Sequence, residues 1–273
     1  MYKFKHKNIL FFLSELRRFV RVETDMVVVC MALSGYLIFN APASDMLFLA
    51  SALFCASGAG YAYNHYTDKE EDIINNRGLN FFATSKKGYY IVLACVIIGI
   101  ASAAQLSPLS FGLYLISMAA GLAYSAFRVK KFFPMKNVYS GFFMSTSFLI
   151  GATAGNQILD GVIPYFLLVF LIGLTGNLLG DVRGHEGDKI AGVNTIPVKL
   201  GTKTAKRIIH FNFGLFSLAS MLSGYVLLTP IIPSLAATSF FLNRDDHRRA
   251  RSSMISTFLV LVVFLAAIKI TGI

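Results

Sequence analysis

The sequence predicts an all-α integral membrane protein, with nine transmembrane helices arranged as two four-helix halves plus a ninth helix around a central cavity. Hydrophobic residues make up 55% of the 273-residue chain and charged residues only 14%, whereas soluble domains usually carry about 25% charged residues. The apolar residues also gather in blocks of about 16 to 22, which is close to the length that crosses a bilayer as a helix.

The lysines and arginines indicate which segments share one side of the membrane. Of the 25 in the chain, 24 lie in five segments: 3–21, 69–87, 128–136, 183–207 and 244–251. Because positive charge is retained on the cytoplasmic side, we expect these segments in the cytoplasm. The N-terminus then lies on the cytoplasmic side of the cell membrane, and the C-terminus lies on its outer side. The formal charge of +11 reflects this topology, and no nucleic-acid partner is expected.

The first half of the chain begins with a cytoplasmic segment over residues 1–21. Within it, residues 8–20 have the pattern of an amphipathic helix that lies on the membrane surface. A polar loop over 73–88 separates the second crossing from the third. The predicted crossings of this half are 22–39, 46–64, 89–106 and 108–126.

The second half repeats this outline. A basic segment over 127–137 precedes it, and a polar loop over 184–204 interrupts it. Pro230 and Pro233 hinge its last two crossings. The predicted crossings are 138–159, 162–180, 205–228 and 231–243, with a ninth over 254–271. We interpret 1–273 as a single domain.

Two acidic clusters end the second and sixth crossings. An Asn precedes an Asp by four residues in both, Asn64 before Asp68 and Asn177 before Asp181, and the two Asp residues lie 113 positions apart. A repeat at this spacing indicates two related halves that face one another. The other acidic members are Glu70, Glu71 and Asp72 in the first cluster, and Glu186 and Asp188 in the second.

Carboxylates at a membrane boundary are costly unless a cation neutralises them. Asp181 and Asp188 lie two helical turns apart, so their side chains project from one helix face. Oxygen ligands at this spacing suit Mg²⁺, which completes its shell with water and phosphate. Two such clusters would hold a diphosphate through bridging Mg²⁺. An apolar chamber would take an isoprenoid tail, and aromatic rings would stabilise an allylic cation.

Three segments resemble the UbiA-type membrane prenyltransferases. NHYTDKEED (64–72) is similar to their Asn-Asp-x-x-Asp-x-x-x-Asp signature. GDVRGHEGDKIAGVNTIPVKLG (180–201) is similar to their second signature, and AYSAFRVKKFFPMKN (123–137) to their Tyr-and-Lys segment. The resemblance covers nearly the whole chain. It implies an all-helical fold, Mg²⁺ dependence, and transfer of a prenyl group from its diphosphate to a lipophilic acceptor, aromatic or not.

The resemblance also implies roles for individual residues. The implied metal ligands are Asn64, Asp68, Asp72, Asp181, Glu186 and Asp188. The four aspartates among them would be catalytic, with Tyr124 near the reacting carbon. The implied diphosphate-binding residues are Asn64, Arg128, Lys130, Asn137 and Lys189. The chain departs from the family pattern at His65 and Gly184, which stand where Asp is usual. After the first signature it has NNRGLNFF, where the aromatic-acid branch of the family usually carries Arg-Pro.

Three other interpretations remain open at this level. In the first, the acidic clusters are solvated loop charges that pair with the neighbouring basic residues Lys69, Arg183 and Lys189. A terpene cyclase would use the same motifs, with the cation captured by the substrate's own double bond. A cation or solute transporter would need charges deep within the crossings, whereas nearly all acidic residues here are at the predicted cytoplasmic ends.

Overall fold

The computed structural model of this protein describes residues 9–40, 44–69, 73, 79–155, 160–222 and 225–271. Within these ranges the chain is helical and contains no strand. Glu70, Glu71 and Asp72 of the first acidic cluster lie outside them.

Among the described residues, the first half of the chain contains five helices and one short 3₁₀ turn. The 3₁₀ turn, Phe82–Thr84, lies within the predicted polar loop, just before the fourth helix. The helices are α1 (Ile9–Val20), α2 (Val22–Phe39), α3 (Asp45–Thr67), α4 (Lys86–Ala103) and α5 (Pro108–Ala126).

The described part of the second half contains six helices. Two 3₁₀ segments connect them, Val129–Lys131 before the first and Val226–Ile231 before the fifth. The helices are α6 (Met135–Ala152), α7 (Val162–Ile190), α8 (Ile196–Leu200), α9 (Thr202–Leu222), α10 (Ile232–Asn243) and α11 (His247–Thr271).

Seven helical segments of the described residues are long and apolar enough to cross a membrane: α2, α3, α4, α5, α7, Val226–Asn243 and α11. The prediction of an all-α multi-pass membrane protein is confirmed. The helices α6 and α9 are also long, and they pack within the same bundle, against α7.

The predicted loop over 184–204 is wrong over much of its length, because α7 continues to Ile190. The helix ends at a glycine rather than where its residues become polar. Gly192, just after the C-cap Ala191, has a φ of 68°, the left-handed conformation that commonly terminates helices. As a result, Asp181 and Asp188 lie on one continuous helix, as their seven-residue spacing indicates.

The helices α2 and α6 are in backbone contact at one end of the bundle. A Cβ added to Gly35 would meet the carbonyl oxygen of Phe148, and one added to Gly151 would meet that of Ala32. Asn40 joins the same ends, since its Nδ2 donates to the carbonyls of Gly151 at 3.3 Å and Ala152 at 3.0 Å. At their other ends both helices line a cavity.

The amphipathic helix α1 lies outside this bundle and packs on α3. Its Phe19 and Val20 form a small hydrophobic core with Ala62 of α3 and with Phe82 and Ala83. The first residues of α1 point away, and Ile9 and Leu10 are 74% and 73% exposed. This pattern agrees with a helix that lies on a membrane surface.

Candidate active site

A cavity of about 750 Å³ lies between the helices, lined mainly by α2, α3, α5, α6, α7 and α11. Part of its polar lining comes from the last turns of α3 and α7 and from the segment between α5 and α6. The junction of α1 with α2 and the start of α11 also contribute polar residues, among them Arg21 and Arg251. Its apolar lining lies further along the helices and includes Val27, Met118, Phe143, Met144, Ile172 and Phe258. The cavity therefore joins a charged end to an apolar interior.

The first acidic cluster lines this cavity with Asn64 and Asp68. The two residues are one helical turn apart, and Asp68 caps α3 by donating its N–H to the Asn64 carbonyl at 2.8 Å. Lys130 forms an ion pair with Asp68 Oδ1 at 2.6 Å. The Ser125 hydroxyl donates to Asn64 Oδ1. Ser125 of α5 thus holds the Asn64 side chain, and Lys130 holds the Asp68 side chain.

The segment between α5 and α6 carries basic side chains to the end of α3, where Asn64 and Asp68 lie. Arg128 has a left-handed φ of 51°, which reverses the chain, and Lys130 then lines the cavity. Arg128 itself bonds elsewhere, because its Nη2 donates to the Thr67 carbonyl at 3.2 Å. Arg128 therefore holds the carbonyl end of α3.

The second acidic cluster converges on Lys136, in the first turn of α6. Lys136 Nζ lies 2.6 Å from Asp181 Oδ1 and 3.2 Å from Asp188 Oδ2, and the two aspartates are only 3% and 9% exposed. Asn137 Nδ2 donates to Asp181 Oδ2 at 2.8 Å and to Asn177 Oδ1 at 2.9 Å. Asn137 is buried beside the cavity wall and supports the carboxylate from behind.

The structure does not bring Glu186 and Lys189 to the cavity. A helix turns by about 100° per residue, so Asp188, seven residues after Asp181, lies on the same helix face. Glu186 and Lys189 follow Asp181 by five and eight residues and therefore lie on other faces. Glu186 is exposed, and its Oε1 lies 3.0 Å from His185 Nε2. Lys189 is exposed as well. His185 does not line the cavity, so it does not stand in for a carboxylate at Gly184.

Aromatic rings form part of the wall next to the acidic clusters. Tyr124 of α5 stacks on Tyr139 of α6, with ring centroids 4.1 Å apart and an interplanar angle of 15°. Tyr139 lies beside Phe143, at a centroid distance of 6.1 Å. These three rings and Tyr61 of α3 all line the cavity. Aromatic side chains therefore line the cavity together with the acidic clusters.

Sequence reasoning missed Lys136 and Tyr139, although both lie in or next to a segment that it singled out. Lys136 directly precedes Asn137, and Tyr139 follows one helical turn later on the same helix. A helix start at Met135 would have shown that these residues share a face. Arg21 and Arg251, which also line the cavity, were interpreted only as markers of membrane topology.

The oxygen atoms around the cavity suit a divalent cation that is shared with a ligand. Among the described residues, no three His, Cys, Asp or Glu side chains group together as a metal site. Asp181 and Asp188 nevertheless converge on one cationic atom, Lys136 Nζ. Mg²⁺ usually takes one or two carboxylates and completes its shell with water and phosphate. The sparse oxygen set therefore fits Mg²⁺ held together with a phosphate ligand.

Curated proteins of similar sequence include digeranylgeranylglyceryl phosphate synthases. The digeranylgeranylglyceryl phosphate synthase of Haloquadratum walsbyi is 29% identical over 165 residues, which are 59% of this chain. The aligned region spans 57% of that relative's length.

Solved structures share the fold. A UbiA homolog from Aeropyrum pernix K1 superposes with a TM-score of 0.74 at 19% identity, and covers 90% of this chain and 98% of its own. A UbiA homolog from Archaeoglobus fulgidus bound to DMAPP and Mg²⁺ gives a TM-score of 0.70 at 16% identity, and covers 91% and 99%.

A family model matches most of the chain. The model of the UbiA prenyltransferase family aligns with residues 26–268, which include both acidic clusters and most of the length of the helices that line the cavity. The match confirms the family and the class of enzyme that the sequence motifs predict. The chain belongs to the UbiA prenyltransferase family.

Proposed function

We propose that this protein transfers a prenyl group from an isoprenyl diphosphate to a lipophilic acceptor within the membrane, with Mg²⁺ as cofactor. The observation that carries the proposal is the convergence of Asp68, Asp181 and Asp188, with Lys130 and Lys136, on one cavity with an apolar interior. The Archaeoglobus fulgidus homolog, which binds DMAPP and Mg²⁺, supports it.

The charged end of the cavity would hold the diphosphate. Asn64 and Asp68 would contact Mg²⁺ from α3, and Asp181 and Asp188 from α7. Bound Mg²⁺ supplies positive charge that stabilises the leaving diphosphate. The ammonium groups of the cavity lysines donate to phosphate oxygens. Asp72, implied as a further ligand, lies outside the described residues, and Glu186 and Lys189 have no place in this arrangement.

The reaction begins when the carbon–oxygen bond of the allylic diphosphate breaks and its electron pair leaves with the diphosphate. The allylic cation then faces the stacked rings of Tyr124 and Tyr139, whose π faces attract positive charge. Apolar side chains such as Phe143 and Met144 surround the isoprenoid tail and exclude water. The acceptor's nucleophilic carbon or oxygen forms the new bond to the cation and loses a proton.

The acceptor, we infer, carries an anionic head group such as a phosphate. Arg21 and Arg251 line the cavity from α1–α2 and α11, and neither forms an ion pair with another described residue. The Arg21 guanidinium lies 5.2 Å above the Tyr61 ring. Arginine is well suited to phosphate. The Haloquadratum walsbyi relative is named for a glyceryl phosphate product, which supports the same acceptor chemistry.

Replacing both Arg21 and Arg251 by alanine tests this acceptor assignment. We expect the KM for a phosphate-bearing lipid acceptor to rise about tenfold or more, because each charge-assisted hydrogen bond contributes roughly 1.5–3 kcal/mol. The KM for the allylic diphosphate should stay within about twofold. Steady-state kinetics with each substrate varied in turn measure both. Equal rises in the two constants would contradict the assignment.

The full topology is also part of the proposal. If α6 and α9 span the bilayer together with the seven apolar segments, the protein has nine crossings. These form two four-helix halves plus α11, within one domain over 1–273. The basic segments then place the cavity mouth, α1 and the N-terminus in the cytoplasm. The C-terminus lies outside the cell membrane. Lys130 and Lys136 belong to one of these segments, which supports this orientation.

The central test measures diphosphate release by the purified protein with Mg²⁺ and allylic diphosphates of several lengths. Asp68→Ala and Asp181→Ala should each lower the rate about a hundredfold or more, the usual scale for removing one electrostatic group from an active site. Asp45→Ala, at the opposite end of α3, is the matched control and should retain the wild-type rate. Unaltered turnover in both site variants would remove the assigned roles.

A further inference from the structure

His65 lies between Asn64 and Asp68 in sequence, but it is bound to the surface helix α1. Its ring stacks on Phe19, with centroids 5.6 Å apart and an interplanar angle of 17°. Its Nε2 donates to the Arg18 carbonyl at 3.3 Å. Phe19 is completely buried, so it offers a fixed surface. The turn of α3 that carries the first acidic cluster is therefore attached to α1.

A second contact fixes α1 itself. Glu15 is only 6% exposed, and its Oε2 accepts the Phe81 N–H at 2.8 Å. The Glu15 carbonyl accepts from Asn80 Nδ2 at 2.9 Å, and Glu15 Oε1 pairs with Arg18 at 2.7 Å. A buried carboxylate with this many partners specifies one position of the helix. Consequently, α1 cannot move relative to residues 80–81 without breaking the Asn80 and Phe81 bonds.

Aromatic contacts complete the attachment. Phe19 packs edge-on against Tyr66, with centroids 6.1 Å apart, and Tyr66 donates to the Phe82 carbonyl at 3.1 Å. On the opposite side of the same turn, Lys130 pairs with Asp68 and Arg128 bonds to the Thr67 carbonyl. The end of α3 is thus held from two sides, by α1 and by the segment between α5 and α6.

From this geometry we propose that His65 is a positioning residue, through which α1 sets the orientation of Asn64 and Asp68 toward the cavity. The inference rests on the proposed function, and it gives α1 a role in the binding of Mg²⁺ and diphosphate. The last turn of α3 decides where the two oxygen ligands point. Groups that hold a ligand-bearing residue from behind commonly change metal affinity by about 10- to 100-fold when they are removed.

The rival role for His65 is that of a metal ligand, since it also lines the cavity. Mg²⁺ prefers oxygen to imidazole nitrogen, and His65 already uses Nε2 and one ring face on α1. The two roles make opposite predictions for substitutions. Phenylalanine keeps the stacking and removes both nitrogens, whereas aspartate removes the stacking and adds an oxygen ligand.

The test is a calorimetric titration of Mg²⁺ into the full-length protein in detergent with inorganic pyrophosphate, which involves no turnover. His65→Ala and His65→Asp should raise the Mg²⁺ concentration at half-saturation about tenfold. His65→Phe should stay within about twofold of wild type, because it retains the ring contact. Arg17→Ala, which breaks only an exposed pair between α1 and Glu23 in the first turn of α2, is the control and should bind as wild type.

A thermal midpoint for each variant shows that the chain remains folded during the titration. Unchanged binding in His65→Ala, tighter binding in His65→Asp, or binding in His65→Phe as weak as in His65→Ala would each overturn the proposal. A protein that binds Mg²⁺ and pyrophosphate but releases no diphosphate from allylic substrates would contradict the proposed function alone, because this readout does not depend on catalysis.

Discussion

Replacing Lys136 by methionine is expected to lower diphosphate release about a hundredfold or more, since removing one electrostatic group from an active site typically costs 10²–10³-fold in rate. Lys136 is the cation between Asp181 and Asp188, at 2.6 and 3.2 Å, and both carboxylates are nearly buried. Without it they repel each other, and breaking a buried ion pair costs about 3–5 kcal/mol. The diphosphate also loses an ammonium donor.

The measurement is the initial rate of diphosphate release at saturating Mg²⁺ and allylic diphosphate. Lys199→Met is the matched control, because Lys199 is exposed on α8 and does not line the cavity. Lys136→Arg should recover part of the rate, since it keeps the charge but not the compact shape of the ammonium group. A Lys136→Met enzyme within about threefold of wild type would exclude Lys136 from the site.

The second large effect concerns stability and is expected for Gly151→Ala. The added Cβ would meet the Ala32 carbonyl, part of the α2 backbone, and backbone cannot move aside as a flexible side chain can. Overpacking usually costs 1–3 kcal/mol, and here we expect about 3 kcal/mol, the upper end of that range. The contact lies where α2 and α6 meet, and the Asn40 bonds to the Gly151 and Ala152 carbonyls would weaken with it.

Gly214→Ala is the control for this substitution, because a Cβ at Gly214 in α9 has no atom within 4 Å. Alanine stabilises a helix relative to glycine by roughly 0.5–1 kcal/mol, so this variant should be as stable as wild type or slightly more so. Thermal midpoints of the detergent-solubilised proteins compare the two. A Gly151→Ala protein that melts with wild type would show that the α2–α6 contact tolerates a wider separation.

Local patterns were sufficient to predict most of the long apolar helices. The predicted crossings over 22–39 and 108–126 coincide with α2 and α5, because the length of an apolar block and the polar residues at its ends define a membrane helix without reference to the rest of the chain. The extent of α7 was underestimated. Its last turns are polar but still helical, and hydropathy alone does not distinguish a polar helix end from a loop.

The sequence by itself determined the family, the class of enzyme, and the two acidic clusters at the ends of α3 and α7, because these features depend on residues close together in the chain. Only the tertiary structure decided which side chains meet. It joined Lys136 to both aspartates of α7, turned His65 toward α1, and left Glu186 in solvent. Such contacts depend on how separate helices rotate and pack, and no spacing within one segment contains that information.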